Sequence, residues 1–396
     1  MKSIFLTVAL MVSTGLVLGA DQWPQFLGPH RNGSVDAPGL FKEKIELEQV
    51  WKVPLGSGFS SVVIGNGKLF AMHADGEMDA ISCFEAATGK KQWSHKYGPA
   101  FPKNSGSEPG PLSTPILDGK NVYGMGANGE LFCLNAADGK VVWSQDLVKD
   151  SGAIVPTFGM TSSPLIYKNF LILNVGNGKD KALAAFNKKT GKLAWHVGDG
   201  NINYHSPTLT TLLGREQIIT QSETKMQGID PATGNVIWEK TGSYGVQAVP
   251  VGDNRFLLDS EPNFILHQIT EKSGKMEISE VWNNPNMTIQ YNIPVIYKGH
   301  IYGHKGKTMT CLNLETGEKA WAERNAGGRG MSILVDGHLA VISKDGVFRI
   351  VRATEKAYEE RASLKIMENG GWTQPTYADG VFYLRDYTHL IAVKVK

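Results

Sequence analysis

Apolar and polar positions alternate in short runs along most of the 396-residue chain, and glycine-containing turns separate these runs. One pattern returns six times: an apolar run, a turn with Gly, and a second run that ends in Trp. Two such runs joined by a short glycine turn predict a β-hairpin, because Gly accepts the positive φ that tight turns need. The copies are CFEAATGKKQW (83–93), CLNAADGKVVW (133–143), AFNKKTGKLAW (185–195), GIDPATGNVIW (228–238), QITEKSGKMEISEVW (268–282) and CLNLETGEKAW (311–321).

A second pair of strands is predicted upstream of each hairpin. It begins with small or polar residues followed by Pro, as in Ser162-Ser163-Pro164, and continues as apolar run, turn and apolar run. Pro at the start of a strand costs no ladder hydrogen bond. Each unit therefore contains four strands, and the Trp spacing of 39 to 52 residues is typical of β-propeller blades.

Counting these units predicts eight blades. Six complete blades end at Trp93 through Trp321. A seventh runs from Met331 to about Ile366 and has lost its Trp, and an eighth begins at Trp372 but provides only three strands before the chain ends. The predicted fold class is therefore all-β, an eight-bladed β-propeller of four-stranded antiparallel blades.

The missing strand of the eighth blade is assigned to LEQVWKV at 47–53. Pairing this N-terminal strand with the C-terminal blade closes the ring and leaves no blade half-paired. It also explains why Trp51 has no hairpin before it. The stretch 94–111 contains four prolines and is predicted to be a surface loop, and residues 21–396 are expected to form a single propeller domain.

The first twenty residues are typical of a signal peptide. Lys2 precedes an apolar run from Ile4 to Leu18, and Gly19-Ala20 stands before the expected cleavage site. The run is short and interrupted by polar residues, which disfavours a membrane span, although an uncleaved signal anchor stays an alternative. We expect export to the periplasm or secretion, with no integral membrane segment after cleavage.

Charge and cysteine content narrow the classes of function. The chain has 40 Lys plus Arg against 38 Asp plus Glu, a net charge of +2, with no basic run. Nucleic acid is therefore not expected as a partner, because phosphate binding needs clustered cations. The three cysteines each lie six residues before a motif Gly, where other copies have Ala185, Gly228 or Gln268, so we expect them to be structural and buried: Cys83, Cys133 and Cys311.

The repeated form A-x-(D/N)-x-x-T-G-K-x-x-W resembles the repeat of the pyrroloquinoline-quinone (PQQ) family. Quinoprotein alcohol dehydrogenases and the non-catalytic outer-membrane assembly factor BamB share that repeat. The opening DQWPQFLGPHRNG also resembles the start of secreted family members, which often have Arg where this chain has Leu27. In that family the Trp docks on the neighbouring blade, which implies a structural docking role for Trp51, Trp93, Trp143, Trp195, Trp238, Trp282 and Trp321.

The resemblance leaves two main functions open, because a fold alone does not confer chemistry. The family's dehydrogenases use PQQ, a calcium ion and a carboxylate base, and commonly an adjacent Cys-Cys disulfide. This sequence has no Cys-Cys pair and no C-x-x-C-H haem motif. We favour a non-catalytic binding or scaffold module without a cofactor, whose partners are envelope or secreted proteins. The alternatives are a PQQ- and calcium-dependent dehydrogenase oxidising an alcohol or sugar, and a carbohydrate-binding module.

HADGEMD at 73–79 is the best metal candidate in the sequence, because His73, Asp75, Glu77 and Asp79 alternate along it. Asp75-Gly76, however, falls where other blades have a hairpin turn, so the chain would reverse through the cluster. We therefore predict no metal site here and no catalytic residue.

Residues that begin the inner strands are expected to face the mouth of the central funnel. Aromatic, amide and cationic side chains there offer contact area and hydrogen bonds to a ligand or protein partner. The same residues could instead satisfy backbone groups at blade edges. The candidates are Tyr204, His205, Gln247, Tyr291, Asn292, Arg329 and Trp372, accompanied by Ser61, Thr114, Thr161 and Gln290.

Overall fold

The computed structural model describes residues 22–396 apart from 104–107, 200–203, 223, 243–246, 261–262, 288–291, 325, 369 and 371. The predicted signal peptide lies outside the described residues. The described chain folds into eight antiparallel sheets of four main strands each, which are the blades of a β-propeller. One short helix, α1 (Leu147–Ser151), occurs in this part of the chain. No described helix has the length and apolarity needed to cross a membrane.

Two strands precede the first blade: β1 (Ser34–Val35) and β2 (Leu47–Pro54). Blade 1 contains β3 (Val63–Gly65), β4 (Lys68–Asp75), β5 (Met78–Glu85) and β6 (Lys91–Pro99). Blade 2 contains β7 (Ile116–Asp118), β8 (Asn121–Met125), β9 (Glu130–Asn135) and β10 (Val141–Asp146). Blade 3 contains β11 (Leu165–Tyr167), β12 (Phe170–Asn174), β13 (Leu183–Asn187) and β14 (Leu193–Val197). Blade 4 contains β15 (Thr208–Leu212), β16 (Arg215–Gln221), β17 (Lys225–Ile229) and β18 (Val236–Thr241).

The second half of the ring repeats this order of strands. Blade 5 contains β19 (Val249–Val251), β20 (Arg255–Ser260), β21 (Asn263–Lys272) and β22 (Lys275–Asn284). Blade 6 contains β23 (Val295–Tyr297), β24 (His300–Lys305), β25 (Thr308–Asn313) and β26 (Lys319–Glu323). Blade 7 contains β27 (Gly330–Val335), β28 (His338–Ser343), β29 (Val347–Arg352) and β30 (Glu360–Lys365). Blade 8 contains β31 (Thr376–Ala378), β32 (Val381–Arg385) and β33 (His389–Val395), with β2 as its fourth strand.

The two ends of the chain close the ring, as the sequence predicts. Strand β2 pairs antiparallel with β33, from Leu47 opposite Val395 to Pro54 opposite His389. A β-bulge between Gln49 and Trp51 shifts the register within this pairing. Blade 7 differs from the prediction, because the two-residue strand β1 joins its inner strand β27 in parallel and makes five strands.

The hydrophobic core lies between blades rather than within them. Each of the seven described clusters of buried apolar residues draws on adjoining blades; one, for example, contains both Phe70 of blade 1 and Phe132 of blade 2. The cluster at the closing seam joins blades 7, 8 and 1 and also takes in Trp23. The three cysteines are buried and unbridged, and burial raises the pKa of Cys83 and Cys133 to about 11 and that of Cys311 to about 12.

Most motif tryptophans bind the following blade in one way. The indole Nε1 donates a hydrogen bond to a backbone carbonyl three residues before the next motif Gly, and the indole ring covers that Gly. Because the ring packs where a β-carbon would stand, any other residue type in the turn would have to displace it. The hydrogen bonds to the next blade are Trp51 to Ala86 at 3.0 Å, Trp93 to Ala136 at 3.3 Å, Trp143 to Lys188 at 2.9 Å, Trp282 to Leu314 at 2.9 Å and, where blade 7 lacks the Gly, Trp321 to Thr354 at 2.8 Å.

Two motif tryptophans depart from this arrangement. Trp195 covers Gly234, but its buried Nε1 has no hydrogen-bond partner among the described residues. Trp238 is turned inward, where its Nε1 donates to Gln217 Oε1 of its own blade and its ring stacks on Phe256 of blade 5. In blade 5, where the repeat is longer than in the other blades, no described indole ring packs on Gly274 of the turn.

The stretch 94–111 is less irregular than the sequence predicts. Strand β6 continues past Trp93 to Pro99 and pairs with β5, with Gly98 opposite Asp79. Tyr97 in this extension packs on Phe132 of blade 2, with the ring centroids 4.7 Å apart. Alternating exposed and half-buried side chains along 94–97 are typical of an edge strand, which the prolines obscured in the sequence.

The covered glycines provide a matched test of the interaction between blades. Gly89 and Gly274 each lie in the hairpin turn of their repeat with a positive φ, +71° and +76°, so Ala costs about 1–2 kcal/mol of backbone strain at either. At Gly89 the new β-carbon would also stand 2.9 Å from the Trp51 ring, whereas at Gly274 it would meet nothing. We expect Gly89→Ala to lower the free energy of unfolding by about 1–3 kcal/mol more than Gly274→Ala, measured by urea denaturation. Equal losses would show that the indole does not constrain the turn.

Candidate functional site

A blind cavity of about 170 Å³ lies on the propeller axis, at the end where the inner strands begin. Links that join the outer strand of one blade to the inner strand of the next surround its opening; we call this end of the propeller the funnel face. Its described lining is aromatic, aliphatic or neutral and polar: Phe26, Phe59, Ser61, Leu112, Thr114, Thr161, Ser163, Tyr204, His205, Ser206, Gln247, Ile293, Met331, Trp372 and Gln374.

The N-terminal segment 22–33 forms the floor of this cavity, which the sequence did not predict. It crosses the axis at the end where the inner strands finish. Trp23 bridges to Ile64 of blade 1, and the carbonyl of Pro24 accepts a hydrogen bond from Leu117 N of blade 2. The segment then continues into β1 on blade 7. The funnel is therefore closed at this end by the chain itself.

Arg31 fixes the segment to blades 3 and 4, across the ring from blade 7. Its guanidinium donates to the carbonyls of Ser163 at 2.8 Å, Pro164 at 3.1 Å and Pro207 at 3.2 Å, at the inner strands of blades 3 and 4. Its centre lies 5.8 Å from the Phe26 ring. Burial lowers the pKa of Arg31 to about 9, so the group stays cationic at neutral pH and is stabilised by carbonyl dipoles.

Small hydroxyl residues line the cavity wall in blades 2 to 4, where their side chains accept hydrogen bonds from the backbone of the preceding blade. The backbone N–H of Ser61 donates to Thr114 Oγ1, that of Thr114 to Ser163 Oγ, and that of Ser163 to Ser206 Oγ, at 2.9 to 3.1 Å. The three residues that provide the hydroxyls, Thr114, Ser163 and Ser206, each precede Pro in the pattern seen in the sequence. Along this wall the hydroxyls satisfy backbone groups, so their first role is structural.

Four of the seven candidate residues line the cavity: Tyr204, His205, Gln247 and Trp372. Asn292 is buried beside it, with Nδ2 2.9 Å from His304 Nδ1. Arg329 is exposed on the funnel face, and its guanidinium lies 5.6 Å from the centre of the Trp372 ring. Tyr291 and Gln290 lie outside the described residues. The structure thus places four of the seven candidates in the cavity lining and two more, Asn292 and Arg329, next to lining residues or on the funnel face.

His205 has a structural environment. Its Nε2 accepts a hydrogen bond from the Gln221 backbone N–H at 3.2 Å, and its carbonyl accepts one from Asn174 Nδ2 at 2.9 Å. Tyr204, by contrast, is 44% exposed. Its ring meets Phe158 edge to face at 5.6 Å, and its hydroxyl accepts from Phe158 N at 3.3 Å. Phe158 is itself 40% exposed, so this aromatic pair stands at the rim of the cavity.

The four residues of the sequence's metal candidate are separated, as the predicted turn requires. His73 is buried, with Nε2 2.8 Å from Ser82 Oγ, while Asp75 and Glu77 are exposed at the turn. Asp79 is buried on the other side of the strand pair. No cluster of three or more His, Cys, Asp or Glu side chains suited to a metal occurs among the described residues.

Asp79 belongs instead to a buried acidic pair between blades 1 and 2. Its Oδ2 accepts a hydrogen bond from Phe101 N at 3.2 Å, and burial, with a contribution from Glu130, raises its pKa to about 7. Burial also raises the pKa of Glu130. The hydroxyl of Tyr97 is enclosed near both carboxylates, and burial raises its pKa well above the usual value. No sequence signal marked this pair, because its members come from different repeats.

The described lining of the cavity does not fit PQQ and calcium. PQQ is a tricarboxylate, which cationic side chains would hold, and Ca²⁺ takes six to eight oxygen ligands that usually include carboxylates. The described lining contains no Asp, Glu, Lys or Arg. Its volume is also below the roughly 300 Å³ at which small-molecule sites begin. We therefore derive no chemical step through a quinone.

Comparison with known proteins confirms the resemblance to the PQQ-like repeat. A family model described as "Outer membrane protein assembly factor BamB" matches residues 77–255. BamB of Legionella pneumophila is 26% identical over 140 residues, which are 33% of this chain and 36% of that protein. The quinohemoprotein alcohol dehydrogenase ADH IIB of Pseudomonas putida is 29% identical over 137 residues, 33% of this chain and 19% of that protein. The matches thus span only about a third and a fifth of these relatives.

Solved structures of both kinds share the fold. BamB from Moraxella catarrhalis superposes with a TM-score of 0.62 at 14% identity, covering 88% of this chain and all of that chain. Quinohemoprotein alcohol dehydrogenase from Comamonas testosteroni superposes with a TM-score of 0.68 at 13% identity, covering 95% and 80%. At these identities the likeness shows the fold alone.

The buried acidic pair predicts an unusual pH dependence of stability. Because the folded-state pKa of Asp79 is about 7 against about 3.9 unfolded, the folded state binds more protons between these values. Stability therefore falls as pH rises from about 4 to 7, by at most ~1.4 kcal/mol per pH unit for this group. We expect Asp79→Asn to flatten that slope and to raise the unfolding free energy at pH 8, measured by urea denaturation across the pH range. Asp75→Asn, in the exposed turn, is the matched control and should change neither; an Asp79→Asn variant as pH-sensitive as the parent would contradict the assignment.

Proposed function

We propose that this protein is an exported, non-catalytic propeller that acts as a binding or scaffold module and holds an envelope or secreted protein at its funnel face. The observation that carries the proposal is the exposed aromatic pair of Tyr204 and Phe158 at the rim of a cavity lined by neutral groups. Exposed aromatic residues are the commonest anchors of protein interfaces, because they bury a large area at low entropic cost.

The surroundings of the pair support a protein partner rather than a small substrate. Ile154, in the same link between blades 2 and 3 as Phe158, is 51% exposed. The link is held to the ring by backbone hydrogen bonds, such as that from Ile154 N to Gly176 O at 2.8 Å. A rigid apolar rim of this kind loses little entropy on binding. The resemblance to proteins described as outer-membrane assembly factors agrees with a partner in the cell envelope.

A PQQ- and calcium-dependent dehydrogenase is the second candidate, which the likeness to quinohemoprotein alcohol dehydrogenases favours. The neutral cavity lining argues against it. Incubation of the purified protein with PQQ and Ca²⁺, followed by gel filtration and a dye-linked oxidation assay on alcohols and sugars, separates the two functions. We expect no quinone absorbance to elute with the protein; stoichiometric retention with turnover would overturn the binding role.

The partner face is tested by photocrosslinking in cells that make the protein. A benzophenone amino acid replaces Tyr204 at the funnel rim or, as control, Val281, which is 43% exposed on the outer strand of blade 5. We expect a discrete crosslink to another protein from position 204 only. Once that protein is in hand, Tyr204→Ala should weaken binding about tenfold or more and Val281→Ala less than twofold. Absence of a product at 204, or equal products at both positions, would contradict the proposed face.

A further inference from the structure

A second concavity, the basic cleft, lies on the funnel face beside the cavity. It is formed between blades 6, 7 and 8 by Lys307, Gly327, Gly328, Arg329, Lys344, Asp345 and Trp372. Lys307 and Lys344 lie in or beside the turns between the second and third strands of blades 6 and 7, and Arg329 lies in the link between these two blades. Turns and links of this kind meet at the funnel face, so the three cations come from separate elements.

The cleft is positively charged although the whole chain is nearly neutral. Lys307, Arg329 and Lys344 are all exposed. Asp345 is the one acidic residue among the described lining, and Arg349 binds it with two hydrogen bonds of 2.6 and 3.1 Å. Arg349 lies outside the cleft and also pairs with Glu360 at 3.2 Å, so the described lining itself carries three cations against the one carboxylate of Asp345.

The main chain holds these charges in place and leaves room above them. The backbone N–H of Lys344 donates to Arg329 O at 2.9 Å, which ties the two cationic segments together. At Gly328 a β-carbon would approach only Lys344 Cβ, at 3.8 Å, so the floor of the cleft there is open backbone. A ligand can therefore reach both the cationic side chains and the polar main chain.

Trp372 connects the basic cleft with the funnel cavity, because it lines both. A ligand that extends along the funnel face would pass from a neutral, aromatic section to a cationic one. We propose that the basic cleft binds an acidic segment of the protein partner, with its carboxylates between Lys307, Arg329 and Lys344; this rests on the proposed binding function. Charge-assisted hydrogen bonds from Lys and Arg to carboxylates supply the recognition.

The extent of the charge favours an acidic peptide over other polyanions. Recognition of anionic membranes by charge takes clusters of about four to eight Lys and Arg residues, and specific duplex DNA binding commonly involves six to ten phosphate contacts. Three cations in a confined cleft are too few for either extended surface. They match a short run of carboxylates presented by a polypeptide.

The test uses a fluorescein-labelled hexaglutamate peptide, with hexaglutamine as the uncharged control, and measures fluorescence anisotropy at low ionic strength. We expect hexaglutamate to bind in a salt-sensitive manner and hexaglutamine not to bind. Lys307→Gln/Lys344→Gln should weaken binding at least tenfold. Lys189→Gln/Lys192→Gln removes the same charge from the exposed turn between β13 and β14 of blade 3, at the end of the propeller opposite the funnel face. This variant should change binding less than twofold.

Three results would overturn the inference. One is equal loss in both double variants, which would indicate attraction to net charge alone. Another is full retention of hexaglutamate binding in Lys307→Gln/Lys344→Gln. The last is tighter binding to phosphatidylglycerol vesicles or to a 20-base-pair DNA duplex than to hexaglutamate. Crosslinking at position 204 is a separate readout. If a partner is captured but the cleft does not bind hexaglutamate, this inference alone is rejected. If the cleft binds hexaglutamate but no partner is captured, the proposed function alone is rejected.

Discussion

The packing of each indole on the next blade is the interaction on which the rest of the structure depends. Blades of three- to ten-residue strands are too thin to bury a core of their own, and the described apolar clusters all lie between adjoining blades. Trp51 shows how the join is made, by a hydrogen bond to Ala86 O and ring contact with Gly89. Because the ring contact requires a residue without a side chain, the Gly and the Trp of successive repeats constrain each other.

The repeat made most of the fold predictable. The blade count, the hairpins and the closing strand follow from a period that can be read in one sequence, because each copy must present the same faces to its neighbours. Trp238 shows the limit of that reasoning. Its motif is intact, but the partner copy in blade 5 is lengthened, so the indole turns inward onto Gln217 and Phe256. A motif specifies one half of a contact, and the neighbouring copy specifies the other.

The candidate site was less predictable, because it depends on segments outside the repeat. Four residues at or beside the starts of inner strands line the cavity: Tyr204, His205, Gln247 and Trp372. The floor made by Phe26 and Arg31 was missed, because residues 22–33 have no period from which a location could be derived. A lone Arg among Gly, Pro and Asn gave no sign that carbonyls of two distant blades would surround it. The basic cleft was missed for a related reason: its cations are far apart in the chain.

The closing pair of strands also sets when the molecule can fold. Strand β2 is synthesised before blades 1 to 7, whereas its partner β33 is synthesised after them. Until residues 55–388 have been made, blade 8 cannot exist, and the nascent ring stays open with an unpaired strand at either edge. Closure of the ring therefore waits until β33 has been made, and the interval before it is the period in which the polypeptide is most exposed to self-association or to capture by a chaperone.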